Sequence, residues 1–273
     1  MAITLKSRRE IEMIRRAGQV VADVLSKLRQ EAKPGVNTAH LDAVARQMTE
    51  EAGAIALFHG VPNPYGGRPF PGAICTSINE QLVHGIPSPK VILKEGDLLS
   101  IDFGVKLDGY CGDAAFTMGI GPIHPRHQVL MDVTARMLEI AVERMAPGIK
   151  WSQIAAVMEA TAKEAGFSVV TDYVGHGIGT EMHEDPKVPN FVSRELLRED
   201  ILLKEGMVLA VEPMVNMGRA AVRTLKDGWT VVTRDRKYSA HFEHTIAVVP
   251  GGCVVLTGSS DSRGSRQQSE KMK

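Results

Sequence analysis

Residues 93–103 read LKEGDLLSIDF, and residues 203–213 read LKEGMVLAVEP. Both copies open on the same four letters, run through an apolar segment and reach a carboxylate, Asp102 or Glu212, nine residues beyond the leucine. An apolar strand that ends on an acid is costly unless the charge meets a partner. A second pair of segments widens the repeat. PGVNTAHLDAVARQMTEEAG (34–53) aligns without gaps on PGIKWSQIAAVMEATAKEAG (147–166), Pro-Gly opening both, Glu-Ala-Gly closing both, and the helical apolar positions in correspondence. The offsets are 147 − 34 = 113 for the helical unit and 203 − 93 = 110 for the strand unit. Two matched units in the same order are an internal duplication. With only two copies of so long a period, the pattern predicts no solenoid. It predicts two α/β halves related by a pseudo-twofold axis, sharing one site.

Composition sets the bounds. A chain of 273 residues with 44% apolar and 5% aromatic residues suits an α/β or α+β enzyme able to bury roughly three quarters of its unfolded surface. Lys+Arg and Asp+Glu both number 32, so no global field favours nucleic acid or an anionic membrane. Cys75, Cys111 and Cys253 are odd in number and widely spaced, which predicts free thiols and a reducing, cytoplasmic setting. The start, MAITLKSRRE, has no apolar signal core, and no run approaches the ~18 apolar residues of a membrane span.

Along the chain, Ser7 and Glu10 form a capping box ahead of a helical run through Ile11, Ile14, Val21, Val24, Leu25 and Leu28, stopped by Pro34-Gly35. Further helices are expected over about 41–52, 128–146 and 152–165, and strands over 73–78 and 98–106. The loop HGVPNPYGGRPFPG is rich in Pro and Gly and reads as a binding surface. From there to about Leu256 the pattern is mainly strands and turns. The expected organisation is one domain over 1–256, followed by a polar, disordered tail over 257–273.

The acids acquire geometry from one turn. Asp108-Gly109 between strand-like runs is a two-residue hairpin signal; it pairs Leu107 with Tyr110 and so Gly104 with Asp113. Asp102 and Asp113 then lie on one face as diagonal neighbours. Two carboxylates so placed repel unless something positive lies between them. Glu212, Glu243 in AHFEHTIAVV, His176 and His183 in VGHGIGTEMHEDP, and His84 in QLVHGIP add to the set. Taken singly, each has an ordinary structural explanation, and the glycines at 175, 177 and 179 make only a weak nucleotide-loop signal. Together, four carboxylates and one imidazole are too rich in oxygen for a structural zinc. They suit two divalent ions such as Mn, Fe or Co, whose charge they neutralise while leaving room for a bridging hydroxide.

In CTSINEQLVHGIP, LLSIDFGVKLDGYCGDAA, GHGIGTEMHEDP, AVEPM, KDGWTVVTRD and HFEHTIAV, taken in order, the chain resembles the type I methionine aminopeptidases from about Ser7 to Leu256. That resemblance implies the pita-bread fold, with a curved antiparallel sheet and helices outside. It implies two divalent ions per chain, drawn from Co, Mn, Fe(II), Zn or Ni. Asp102 and Asp113 would hold one, Asp113 and Glu243 would bridge to the second, and His176 and Glu212 would complete the second site. It further implies that His84 hydrogen-bonds near the substrate's terminal amine and scissile nitrogen, that His183 stabilises the carbonyl oxygen, and that Glu212 shuttles a proton. The implied reaction removes N-terminal methionine from nascent polypeptides when the second residue is small, with transient contact with the ribosome through the catalytic domain's own surface; a monomer is expected, though no sequence feature sets the oligomeric state.

In the methionine pocket, Cys75, Phe70 and Trp229 match family positions. The loop around Tyr65 departs from the pattern in being Pro-rich, Met182 precedes His183 where Phe is common, and Cys111 stands where His is common. An X-Pro aminopeptidase or prolidase of the same fold is disfavoured, since only a helix precedes the duplication. The spacing of His183 and Glu212 leaves no room for a type II insertion. A non-enzymatic peptide- or ribosome-binding relative is the remaining alternative.

Overall fold

The computed structural model describes residues 3–64 and 66–258. Its helices are α1 (Arg8–Glu31), α2 (Thr38–Glu51), α3 (Pro125–Arg144), α4 (Trp151–Glu164) and α5 (Arg194–Arg198). Its strands are β1 (Ile55–Ala56), β2 (Cys75–Ile78), β3 (Gln81–Val83), β4 (Leu98–Leu107), β5 (Tyr110–Gly119), β6 (Ser168–Val169), β7 (Gly175–Gly177), β8 (Glu184–Val188), β9 (Val208–Val211), β10 (Met214–Asn216), β11 (Val222–Thr224), β12 (Val231–Thr233), β13 (Ser239–His241), β14 (Glu243–Val249) and β15 (Gly252–Val255).

The main sheet runs β1-β4-β5-β14-β9-β7-β8, with β2 on β4 and β15 on β14, and its pairings are antiparallel. Its centre, β4-β5-β14-β9, reads as the same motif from either end, so β4 corresponds to β9 and β5 to β14. The turns obey the same symmetry. Gly35 N–H donates to Leu93 O at 2.9 Å, and Gly148 N–H to Leu203 O at 2.8 Å. Leu93 N–H returns to Val36 O at 2.8 Å, and Leu203 N–H to Ile149 O at 2.9 Å. Gly96 and Gly206, which end the two LKEG motifs, have φ of 90° and 89°, a region open to glycine at little cost. The duplication is therefore structural, down to backbone hydrogen bonds.

α1 begins as its capping box requires. Ser7 Oγ accepts from Glu10 N–H at 3.3 Å while the Glu10 carboxylate accepts from Ser7 N–H at 2.7 Å. Its apolar face, including Ala17, Val21, Val24, Leu25 and Leu28, packs on one core with Leu99, Ile101, Phe103 and Phe116 of the sheet. At Gly18 the helix lies against the segment just past β15, where an added Cβ would stand 2.5 Å from Leu256 O. α3 and α4 cover the second half around the buried Trp151.

The expected helix over 41–52 starts earlier, at Thr38, because Asn37 Oδ1 caps it by accepting from His40 N–H at 2.9 Å. The short α5 is absent from the sequence reading; Ser193 Oγ nucleates it through Leu196 N–H. Of the residues assigned to a tail, 259–273 lie outside the described residues. Thr257 is buried, and its hydroxyl meets Thr245 N–H at 3.2 Å and His244 Nδ1 at 2.9 Å. No helix among the described residues is long and apolar enough to cross a membrane.

Candidate active site

The β4–β5 hairpin turns at Asp108-Gly109, with φ of 49° and 86°, and its register pairs Asp102 with Ala115 and Gly104 with Asp113. The two aspartates share a face as the turn demands. Gly104 makes room for the second one, since a Cβ there would lie 3.1 Å from Asp113 Oδ1. On the far side of β5, Glu243 pairs with the same Ala115, which brings a third carboxylate to the face. Glu212 follows the end of β9, its carbonyl accepting from Asn190 Nδ2 at 3.0 Å.

His176 enters from β7, paired with Ala210 of β9. The corresponding residue of the first half is Ser77, paired with Ser100 of β4; the pseudo-symmetry supplies acids from both halves and an imidazole from one. Since a carbonyl only accepts, the 2.9 Å contact of His176 Nδ1 with Gly177 O puts the proton on Nδ1. Nε2 is left available, 3.5 Å from Glu212 Oε1.

Asp113, His176 and Glu243 each offer one donor atom, all within 4.8 Å of one another, and Asp102 and Glu212 border the same cavity. Burial, then the neighbouring carboxylates, pushes Asp102, Glu212 and Glu243 well above the usual carboxylate range. Burial raises Asp113 to about 7. Asp102 Oδ1, Asp113 Oδ1 and Glu243 Oε1 are buried without a hydrogen-bond donor among the described residues. No described Lys or Arg lines the cavity to balance them. Orphaned carboxylate oxygens converging without a cationic side chain, beside a free imidazole nitrogen, fit divalent metal.

Two more histidines face this cluster. His84, at φ 58° just past β3, is held edge-on to Tyr173 with ring centroids 5.6 Å apart. The His183 ring stands 4.3 Å from that of His176. Burial keeps both neutral, lowering His84 to about 4; a neutral imidazole still has one N–H to donate. The cavity, about 360 Å³, ends in an apolar recess of Phe58, Phe70, Cys75, Met182 and Trp229. Phe70 meets Trp229 edge-on at 5.2 Å, and the indole N–H donates to Arg68 O at 3.0 Å. Cys111 is elsewhere: its N–H donates to Gly179 O at 2.7 Å behind the loop, and burial raises its thiol to about 12. Tyr65 lies outside the described residues.

Five lining residues, Phe58, Val83, Tyr173, Met214 and His241, were not anticipated from the sequence. His241 is 1% exposed, with neither ring nitrogen hydrogen-bonded among the described residues, and its Nε2 lies 3.7 Å from Glu212 Oε2 and 3.9 Å from Glu243 Oε2. Its signal was present: it stands two residues before Glu243 in an extended run. Tyr173 and Met214 carry no such local pattern.

A curled antiparallel sheet that brings four carboxylates, Asp113 and Glu243 buried and Asp102 and Glu212 half-buried, to one cavity with an imidazole and two more histidines fits the class of metal-dependent hydrolases. The comparisons narrow the class. Residues 12–250 match the model of metallopeptidase family M24. A methionine aminopeptidase of Aquifex aeolicus is 44% identical over 257 residues, covering 94% of this chain and 99% of its own. The crystal structure of a methionine aminopeptidase from Thermotoga maritima superposes with a TM-score of 0.88 at 38% identity, over 94% of this chain and 100% of that one. A prolidase from Pyrococcus furiosus shares the fold alone, with a TM-score of 0.72 at 22% identity, over 94% of this chain and 66% of its own. The chain belongs to metallopeptidase family M24 and has the pita-bread fold of its relatives.

Proposed function

We propose that this protein is a methionine aminopeptidase, hydrolysing the bond after an N-terminal Met when the next residue is small. The observation that carries this reading is one cavity with two chemistries side by side: the Asp102–Asp113–His176–Glu212–Glu243 cluster and the Phe70–Cys75–Met182–Trp229 recess, which meet where Cys75 pairs with Asp102. A methionine side chain suits such a recess, where soft and aromatic groups pack against sulfur.

Asp102 and Asp113 would hold one divalent ion, Asp113 and Glu243 would be shared with a second, and His176 and Glu212 would complete it. The oxygen-rich set favours Mn(II), Fe(II) or Co(II). When bound, such ions supply Lewis acidity at the scissile carbonyl and lower the pKa of water. Glu212 takes the proton of the attacking water on its carboxylate and delivers it to the leaving amide nitrogen. His183 donates its ring N–H to the carbonyl oxygen as charge develops there. His84, oriented by Tyr173, donates toward the scissile nitrogen and keeps the peptide aligned. The apolar recess excludes water from the side chain and fixes which residue stands at the acids. The substrates would be the N-termini of newly made chains in the cytoplasm.

The test is hydrolysis of Met-Ala-Ser, Ala-Ala-Ser and Gly-Pro-Ala with added Mn(II), Co(II) or Fe(II). Release of Met from the first, with little turnover of the others, is expected. Preference for Gly-Pro-Ala would overturn the proposal in favour of an X-Pro peptidase.

A further inference from the structure

The loop between β7 and β8 carries Met182 and His183 into the cavity, and a residue from the far end of the chain holds it there. We infer that Lys6 is a positioning residue for His183, acting through Glu184. The inference rests on the role proposed for His183.

Lys6 precedes α1, and its backbone N–H donates to Gly206 O at 2.7 Å. That glycine closes the second LKEG motif, so the N-terminal segment is seated on the duplicated frame. The side chain then runs inward, and Nζ meets Glu184 Oε2 at 2.6 Å, with the two side chains only 4% and 16% exposed. The other oxygen, Glu184 Oε1, accepts from Thr180 N–H at 2.9 Å and Glu181 N–H at 3.2 Å. One carboxylate thus clasps both ends of the segment 180–184, and its neighbour in sequence is His183.

Two glycines clear the way for this lysine. A Cβ on Gly179 would stand 2.4 Å from Lys6 Cε and 2.5 Å from Glu184 Oε1, and a Cβ on Gly206 would stand 2.8 Å from Lys6 O. Gly179 also accepts from Cys111 N–H at 2.7 Å, which ties the loop to the hairpin bearing Asp113. These close approaches make the Lys6 slot a built feature and explain one glycine near the histidines, Gly179, and the glycine that closes the second LKEG motif, Gly206.

Removing the ammonium leaves an enclosed carboxylate uncompensated. The segment 180–184 then opens to hydrate Glu184, and His183 moves with it. A displacement of about 1 Å in a group that meets the transition state can cost on the order of 100-fold in rate. The proposed metal-binding residues sit on β4, β5, β7 and β14 or just beyond β9, and a side-chain substitution at Lys6 leaves its backbone bond to Gly206 O ahead of β9 in place, so their affinity for metal is spared.

The test is a double-mutant cycle. Lys6→Met is expected to lower kcat for Met-Ala-Ser by about 10- to 100-fold, with KM and Mn(II) affinity by calorimetry within twofold of the parent. In a His183→Ala background the same substitution should change kcat less than twofold. If Lys6→Met does not fold, Lys6→Gln, which removes the charge but keeps a polar end in the slot, takes its place with the same expectation. A kcat within twofold of the parent would overturn the inference, and so would an equal loss with and without His183. If His183→Ala alone turned over at the parental rate, the role given to His183 would fall and the inference with it.

Discussion

The apolar recess is braced by a carboxylate that does not line it. Asp42, on α2, accepts through Oδ1 from the backbone N–H of Ala73 at 2.6 Å and of Ile74 at 3.2 Å. Its Oδ2 accepts from Arg46 Nε at 2.7 Å, and Arg46 Nη2 reaches Pro71 O at 2.5 Å. The segment so clamped joins Phe70 to Cys75, two walls of the recess. Asp42→Asn keeps the shape and one acceptor but removes the charge. A hydrogen bond to a charged group contributes ~1.5–3 kcal/mol and a neutral one ~0.5–1.5, so each of the two backbone bonds loses about 1 kcal/mol. The Arg46 pair is more exposed and adds at most about 0.5 kcal/mol.

The total is about 2 kcal/mol, and at ~1.4 kcal/mol per decade it corresponds to a fall of roughly 30-fold in kcat/KM if the whole loss is felt at the recess. Steady-state assays on Met-Ala-Ser, with calorimetric Mn(II) binding as the control, measure it. The loss should appear mainly in KM, with metal affinity unchanged. An unchanged kcat/KM accompanied by a lower unfolding midpoint would refute the reasoning, because the clamp would then serve stability alone.

Further outcomes follow from the same contacts. Asp113→Asn removes a charge from the Asp113–His176–Glu243 group; calorimetry should show Mn(II) affinity down by about 100-fold or more, with the circular dichroism of the parent. Chelation by EDTA should abolish turnover and added Mn(II) should restore it, whereas activity persisting in exhaustively chelated protein would contradict a metal site. Trp229→Ala strips the edge contact with Phe70 and the bond to Arg68 O, so KM for Met peptides should rise about tenfold with little change in kcat. Gly18→Val forces a side chain onto Leu256 O and should lower stability in urea by about 2–3 kcal/mol.

How far the sequence reads depends on how local the cause is. The Ser7–Glu10 box starts α1 through atoms three residues apart, and it forms as expected. The Asp108-Gly109 turn sets the whole β4–β5 register, and the observed pairing of Gly104 with Asp113 follows from that turn alone. The LKEG echo also survives into backbone geometry, because a glycine at φ near 90° and a returning carbonyl are local demands. Residues joined only by packing were less legible. Tyr173 reaches His84 across the cavity, and Asp42 reaches Ala73 from a helix 31 positions away. Neither relation has a period or spacing to betray it.

The sequence by itself determined a duplicated α/β frame, the placement of Asp102 and Asp113 on one face, and a set of acids and histidines whose chemistry asks for metal. Only the tertiary structure decided that Glu243 pairs with Ala115 beside them. Asp113 and Glu243 stand 243 − 113 = 130 residues apart, against 110 for the LKEG repeat, so the echo could not place Glu243 on the face. Only folding showed the Phe70–Trp229 recess opening onto the carboxylates, and Lys6 reaching Glu184 178 positions along the chain. The physical reason is range. Turns, caps and alternation act over a few residues and are written where they act, whereas a shared cavity forms when distant strands and loops close on it at once.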